Sequence, residues 1–189
     1  MVQKIPVLIV GCGSAGIFAA TWLARYNVPF ILLERRLGPM EIGQADGVQC
    51  RTVEIYDSFG LSEEVLREAY HILEVCFWGE DGKQGIERKN RAMDTQNGLS
   101  HMPHVILNQA RMNGLMLEEL KRLGKGGSVK YGWNVEKLDI DGGKVDDSDA
   151  YCCKVAAEKD GEKEVWEARY VLVSFDSFVF TKRGLEADR

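Results

Sequence analysis

At 189 residues, with 45% apolar and 28% charged side chains, the chain is long enough for one domain with a proper core and has an ordinary globular composition. A net charge of −5, with no basic cluster larger than Arg35-Arg36 or Lys182-Arg183, argues against a nucleic-acid partner. No apolar segment approaches the length of a membrane span, and the N-terminal run is too short and strand-like for a signal peptide, so a cytoplasmic location is expected. The five cysteines (Cys12, Cys50, Cys76, Cys152, Cys153) are odd in number and form no C-x-x-C pair, which predicts free thiols in a reducing compartment. His71, His101 and His104 lack the spacing of a zinc set.

The short, continuous apolar run Ile5-Pro6-Val7-Leu8-Ile9-Val10 predicts a strand buried on both faces. It turns on Gly11-Cys12-Gly13-Ser14-Ala15-Gly16 into a helix whose apolar stripe is expected at Ala15, Phe18, Ala19, Trp22, Leu23 and Tyr26. This is the strand-turn-helix context that G-x-G-x-x-G requires: Gly11 for the tight turn, Gly13 for close approach of a phosphate, and Gly16 for close packing of helix on strand. An anion there would meet free N–H groups and the positive end of the helix dipole, making Gly11, Gly13, Ser14, Ala15 and Gly16 cofactor-binding candidates. A second buried run, Val28 to Leu33, ends on Glu34, about 20 residues after the glycines, where a carboxylate meets a ribose diol. Glu34 favours the adenosine of FAD or NAD over that of NADP, although Arg35 and Arg36 beside it weaken the preference, and Arg35 joins the candidate set.

Residues 35–47 read as a loop. Helical spacing returns at Val53, Ile55, Tyr56 and Phe59, stops at Gly60, and restarts at Ser62, which looks like a cap with Glu63 and Glu64 in the first turn. From His71 a period of two places Leu73, Val75 and Phe77 on one side, with Asp81-Gly82 as a hairpin turn before Ile86. Residues 89–104 show no periodicity and read as irregular loop. A helix from Gln109 carries Met112, Leu115, Met116, Leu120 and Leu123, with Glu118 and Arg122 as an i,i+4 pair and Gly124 as its stop. Residues 129–139, 151–158 and 164–173 read as strands of a β-meander, the last two joined at Asp160-Gly161. The acidic stretch from Asp139 to Asp149 invites a calcium reading, but Ala150 stands where the bidentate Glu belongs, so a solvated loop is expected. Tyr170-Val171-Leu172-Val173 has the continuous character of another buried parallel strand.

Taken together, these stretches resemble the FAD-dependent aromatic hydroxylases, of the phenol 2-monooxygenase type, from about Val7 to about Val173. Beyond the glycines and Glu34, the resemblance rests on the runs from Gly43 to Glu54, from Val105 to Arg111, and from Tyr170 to Asp176. It implies an α/β, Rossmann-like FAD/NAD(P)-binding parallel sheet with a β-meander, and positions Arg51, Gln109 and Asp176 as contacts of the cofactor. A guanidinium can hold two phosphate oxygens at once, which suits Arg51 to a pyrophosphate. The alternatives are an ion pair of Arg51 with Glu54, and a Gln109 that bonds its own backbone at a helix start. Asp46 matches the family's active-site acid, placed to take the proton of a phenol hydroxyl. Asp46-Gly47 is equally an ordinary turn.

Two departures from the family stand out. Asp176 is followed by Ser177 and not by the family's glycine, and the later Gly-Asp motif that contacts the flavin is missing, together with most of the substrate sheet. The expected organisation is one FAD-binding domain over residues 1–189, truncated before the second flavin motif and most of the substrate domain, with residues 71–106 as a partial β-excursion. The implied activity is that of an FAD-dependent monooxygenase acting on a small phenolic or polyketide-like substrate, with NAD(P)H as reductant and a second copy or complementing chain as partner. The alternatives are a non-redox enzyme using Asp46 as acid and base in a vacated flavin groove, and a non-catalytic partner-binding chain.

Overall fold

The computed structural model describes residues 2–83 and 85–174; the readings of Asp176 and Ser177 lie outside them. β1 (Gln3–Val10) forms on the first apolar run, and its Leu8 and Ile9 are fully buried. α1 (Ser14–Arg25) follows the glycine turn, and β2 (Phe30–Glu34) lies parallel to β1 with Val10 opposite Leu33. α1 buries a different face from the expected one: Gly16, Ile17, Ala20, Thr21 and Ala24 face inward, while Ala15 and Tyr26 are exposed. The reason is size. Gly16, Ala20 and Ala24 recur every fourth residue, and a small-residue stripe lets the helix lie closer to its neighbours than a Phe and Trp stripe allows. Trp22 and Tyr26 stack on each other instead, with ring centroids 5.8 Å apart.

β3 (Gly47–Val48) precedes α2 (Cys50–Ser58) and α3 (Ser62–Glu68). Ser62 is the first residue of α3 and not its cap; its hydroxyl donates to Asp57 Oδ1 at 2.5 Å. β4 (Tyr70–Ile72), β5 (Glu74–Glu80), β6 (Ile86–Met93) and β7 (His104–Ile106) follow. Strands β3, β7 and β4 form a small antiparallel sheet in that order, and β5 pairs with β6 as a hairpin. Asp81 fixes the hairpin turn by accepting from the N–H groups of Lys83 and Gly85. Residues 89–104 are not all loop: β6 runs to Met93 because cross-strand pairing with β5 orders a polar strand that carries no apolar alternation of its own.

α4 (Gln109–Leu123) buries Met112, Leu115, Met116 and Leu120 as its spacing predicts. Its Arg122 pairs with the buried Glu119 and not with Glu118 as expected, at 2.6 Å, and Arg25 reaches the same carboxylate at 3.5 Å. The span 129–139, read as one strand, is two: β8 (Gly127–Tyr131) and β9 (Asn134–Ile140), broken at Gly132, whose φ of +83° only glycine adopts freely. β8 pairs in parallel with β2, whereas β9 pairs antiparallel with β10 (Cys153–Lys159), and β10 with β11 (Glu162–Val173). The sheet order is β8-β2-β1-β11-β10-β9, a parallel part containing β1, β2 and β11 continued by a meander. Asp160 and Gly161, both at positive φ, make the β10–β11 turn. Leu8, Val10, Leu33, Val155 and Ala168 pack with Trp133 and Trp166, which meet edge to face at 5.0 Å. By contact density the chain divides into two compact units, Met1–Glu41 with Asn113–Arg189, and Ile42–Met112; the excursion at 71–106 falls within the second. Among the described residues, no helix is long and apolar enough to cross a membrane.

Candidate functional site

The glycine turn is built by three glycines under different constraints. Gly11 has φ +102°, and its N–H donates to Leu33 O at 2.8 Å, which ties the turn to β2. A Cβ at Gly16 would stand 2.0 Å from Gly11 O and 2.6 Å from Ser174 Oγ, so only a hydrogen fits. Gly13 is the opposite case: the nearest atom to a Cβ there is Ser174 O at 3.9 Å, and its φ of −83° suits any residue. Among the described residues, nothing else fills the space over Gly13. It lies at the start of α1, where no side chain caps the helix and no acid stands in the first turn. The leading N–H groups of a helix have no acceptor within it, so this end attracts an anion. Ser14 is anchored through its hydroxyl to Oδ1 of the buried Asn113 at 2.9 Å, and Ala15 is exposed.

Glu34 ends β2 beside this turn and is buried. Its Oε2 accepts from the N–H of Cys12 at 2.6 Å and its Oε1 from the N–H of Arg36 at 2.8 Å. The Arg36 guanidinium adds bonds of 3.1 Å to each oxygen and reaches Cys12 O at 2.9 Å. Burial pushes the Glu34 carboxyl up, but these N–H donors and the guanidinium charge outweigh it, and the group titrates below its ordinary range. The sequence pointed to Arg35; it is exposed, and Arg36 is the arginine that engages the carboxylate. The Cys12 thiol, 3.8 Å from the Tyr131 hydroxyl, is pushed up to about 11, chiefly by burial. Tyr131 is raised too, again mainly by burial.

Asp46, Arg51 and Gln109 belong to the second unit. Asp46 is exposed on a loop stitched in place by its backbone: Leu107 N–H donates to Asp46 O at 2.8 Å, and Gln109 N–H to Ala45 O at 3.2 Å. Asn108 Nδ2 lies 3.5 Å from Asp46 Oδ1. The Gln109 side chain accepts from Gln44 N–H at 2.9 Å, and Gly43 passes so close that a Cβ there would sit 2.6 Å from that of Gln109. Gln109 thus bonds the backbone of the Asp46 loop. Arg51 is turned to Glu54 at 2.6 Å with 82% of its side chain exposed, which is the ion-pair alternative. His104, packed near Gly47, pairs through Nδ1 with Asp94 at 2.9 Å.

Ser174, Asn113 and Arg36 are the contributors that motif reading missed. Ser174 holds the turn through a hydroxyl bond to Gly11 O at 2.8 Å, and a lone serine after a strand carries no signal. Only Arg36 was visible, as half of an arginine pair.

A parallel sheet whose first strand turns on glycines into an uncapped helix, with a buried acid at the tip of the next strand, defines a dinucleotide-binding fold. The comparisons make that specific: residues 4–174 match the family described as FAD binding domain, and the chain belongs to it. It is 52% identical over 188 residues to the FAD-dependent monooxygenase terD of Aspergillus terreus, covering 98% of this chain and 30% of that protein. It is 40% identical to the 3-hydroxybenzoate 4-monooxygenase of Comamonas testosteroni, covering 90% of this chain and 27% of that protein. The chain therefore spans less than a third of the length of these relatives. Among solved structures, p-nitrophenol 4-monooxygenase PnpA from Pseudomonas putida superposes with a TM-score of 0.78 at 19% identity, over 97% of this chain and 44% of that one. The flavin-dependent monooxygenase PieE, solved with FAD and substrate, gives 0.72 at 24% identity, over 89% of this chain and 29% of that one. These two likenesses concern the fold.

Proposed function

We propose that this chain is the nucleotide-binding part of an FAD-dependent monooxygenase of the cytoplasm that hydroxylates a small phenolic or polyketide-like aromatic substrate, with NAD(P)H as reductant. The observation that carries the reading is the unfilled space over Gly13 at an uncapped helix start beside the Glu34 carboxylate. These residues fit the ADP half of FAD. Gly11, Gly13, Ser14, Ala15 and Gly16 would offer backbone to the pyrophosphate, and Glu34, once released by the Arg36 guanidinium, would accept from ribose hydroxyls. Arg51, released from Glu54, would add a bidentate phosphate contact. Gln109 and Asp176 complete the cofactor set, and Arg35 stands at its rim. Bound FAD supplies the oxygen-activating chemistry; Asp46 would take the proton from the substrate hydroxyl and enrich the ring in electrons. The relatives named as monooxygenases support this assignment, as does the Asp46 loop being fixed by Gln109 and Leu107. A second copy or complementing chain is the proposed protein partner.

The test is an absorption spectrum of the purified chain after incubation with FAD and desalting. Retained flavin bands, with Asp46→Asn keeping the flavin but losing phenol-dependent NAD(P)H turnover in the complete enzyme, support the assignment. A chain that stays colourless refutes it.

A further inference from the structure

Far along the chain from the glycine turn, Cys152 and Cys153 bring their sulfurs within 3.9 Å of each other, and both thiols lie 3.7 Å from one carbonyl, that of Arg169. Both are free thiols. Neighbouring residues on a regular strand point to opposite faces, so this convergence needs a break in the strand. It has one: Cys153 opens β10, whereas Cys152 precedes it, its carbonyl accepting from the Asp141 N–H. Cys152 is half-buried and lines an open cavity of about 270 Å³ with Tyr151, Asp141 and Lys154, so of the pair it is the residue that meets solvent. Cys153 is buried, and burial raises its thiol well above the usual range, so it does not react alone.

The spacing selects the chemistry. A disulfide would have to close the gap to about 2.05 Å, whereas a single pyramidal centre with bonds of about 2.3 Å to two sulfurs at an angle near 100° spans about 3.5 Å, which the pair reaches by closing a few tenths of an ångström. Among the described residues, no set of three or more metal-type side chains converges, so a complete zinc cage is not on offer. What fits is a centre that needs two sulfurs and nothing more.

We propose that Cys152 and Cys153 form a dithiol site for trivalent organoarsenicals. In the reaction with an arsine oxide, two S–H bonds and the As–O double bond break, two As–S bonds form, and one water leaves. Arsenic remains trivalent and no electrons are exchanged. Cys152 attacks first from the cavity, and Cys153 closes the ring.

The experiment treats the reduced chain with one equivalent of phenylarsine oxide, followed by intact mass and tryptic mapping. The expected product is one phenylarsenic group on the peptide spanning residues 145–154, which contains both cysteines. It survives excess glutathione, is removed by 2,3-dimercaptopropanol, and is absent from Cys152→Ser. Cys50→Ser and Cys76→Ser keep it. An adduct mapped to Cys12, Cys50 or Cys76, an adduct retained by Cys152→Ser, or one removed as readily by glutathione as by the dithiol overturns the proposal. The test rests on Cys152→Ser and not on a change at the buried Cys153, because Cys152 is only half-buried and lies outside the strand ladder, so its serine variant keeps the fold.

Discussion

Two alanine substitutions three residues apart separate what the glycine motif does for the fold from what it does for a ligand. In Gly16→Ala, the new methyl would stand 2.0 Å from Gly11 O and 2.6 Å from Ser174 Oγ. The first of these is backbone, so α1 has to move away from the turn or the turn has to open. Overpacking of this kind costs about 3 kcal/mol or more, which lowers Tm by about 6–12 °C for a chain of this size. In Gly13→Ala, the methyl meets, among the described residues, Ser174 O alone at 3.9 Å, and the φ of −83° is unstrained. The poorer helix cap, about 0.5–1 kcal/mol, is offset by a similar gain from stiffening the unfolded chain. Its Tm therefore stays near that of the parent, while its methyl fills the space proposed for the pyrophosphate and weakens ADP binding by about a hundredfold, or about 2.8 kcal/mol. Thermal denaturation and calorimetric titration with ADP read the two effects separately. Equal Tm losses for the two variants, or an undiminished ADP affinity in Gly13→Ala, would show the reasoning to be wrong.

Four further outcomes are expected. Because the residues that fit a dinucleotide in the described turn face its ADP half, ADP and FAD should bind this chain within roughly tenfold of each other, about 1.4 kcal/mol, by calorimetry; a thousandfold preference for FAD would contradict this. Glu34 titrates lower in the folded chain than its ordinary 4.5, so its stabilisation is complete above about pH 4.5 and is lost as pH falls through the folded value; Glu34→Gln should flatten the acid limb of urea midpoints measured between pH 3 and 7. Gln109→Ala removes the Gln44 N–H bond and should cost about 0.5–1.5 kcal/mol, with faster amide exchange at Gln44 as its local signature. Native Cys12, buried and pushed up to about 11, should resist iodoacetamide at pH 7.5 and label once the chain is denatured, by peptide mass mapping.

The parallel strands were legible as unbroken apolar runs, as in Ile5–Val10 and Val171–Val173, but the second is not buried on both faces as expected, since Tyr170 and Leu172 are exposed. The buried face of α1 was misread for the complementary reason: hydropathy ranks Phe18 and Trp22 above Gly16 and Ala20, but close packing on a sheet selects for small volume. The break between β8 and β9 turned on Gly132, whose positive φ has no counterpart in apolar periodicity. At the site, Glu34 was found by its distance from the glycines, whereas Arg36 could not be told from Arg35 without knowing which side of the strand tip each faces. Arg51 and Gln109 were named by resemblance alone; the ion pair of Arg51 with Glu54 was the alternative that their i,i+3 spacing offered, whereas the bond of Gln109 to Gln44 is a tertiary fact that no local pattern encodes.

Ser174 gives the glycine turn an order of assembly. Its hydroxyl bonds to Val10 O and Gly11 O join positions 164 and 163 residues apart, and its N–H bonds Val10 O as well. β1 and α1 emerge first from the ribosome, but one side of β1 is left unpaired until β11 arrives to lie between it and β10. Loop closure over such a separation is paid for late and slowly. The shape of the turn then waits on β11: a nascent chain released before it would carry the whole glycine motif yet lack the hydroxyl that sets its shape.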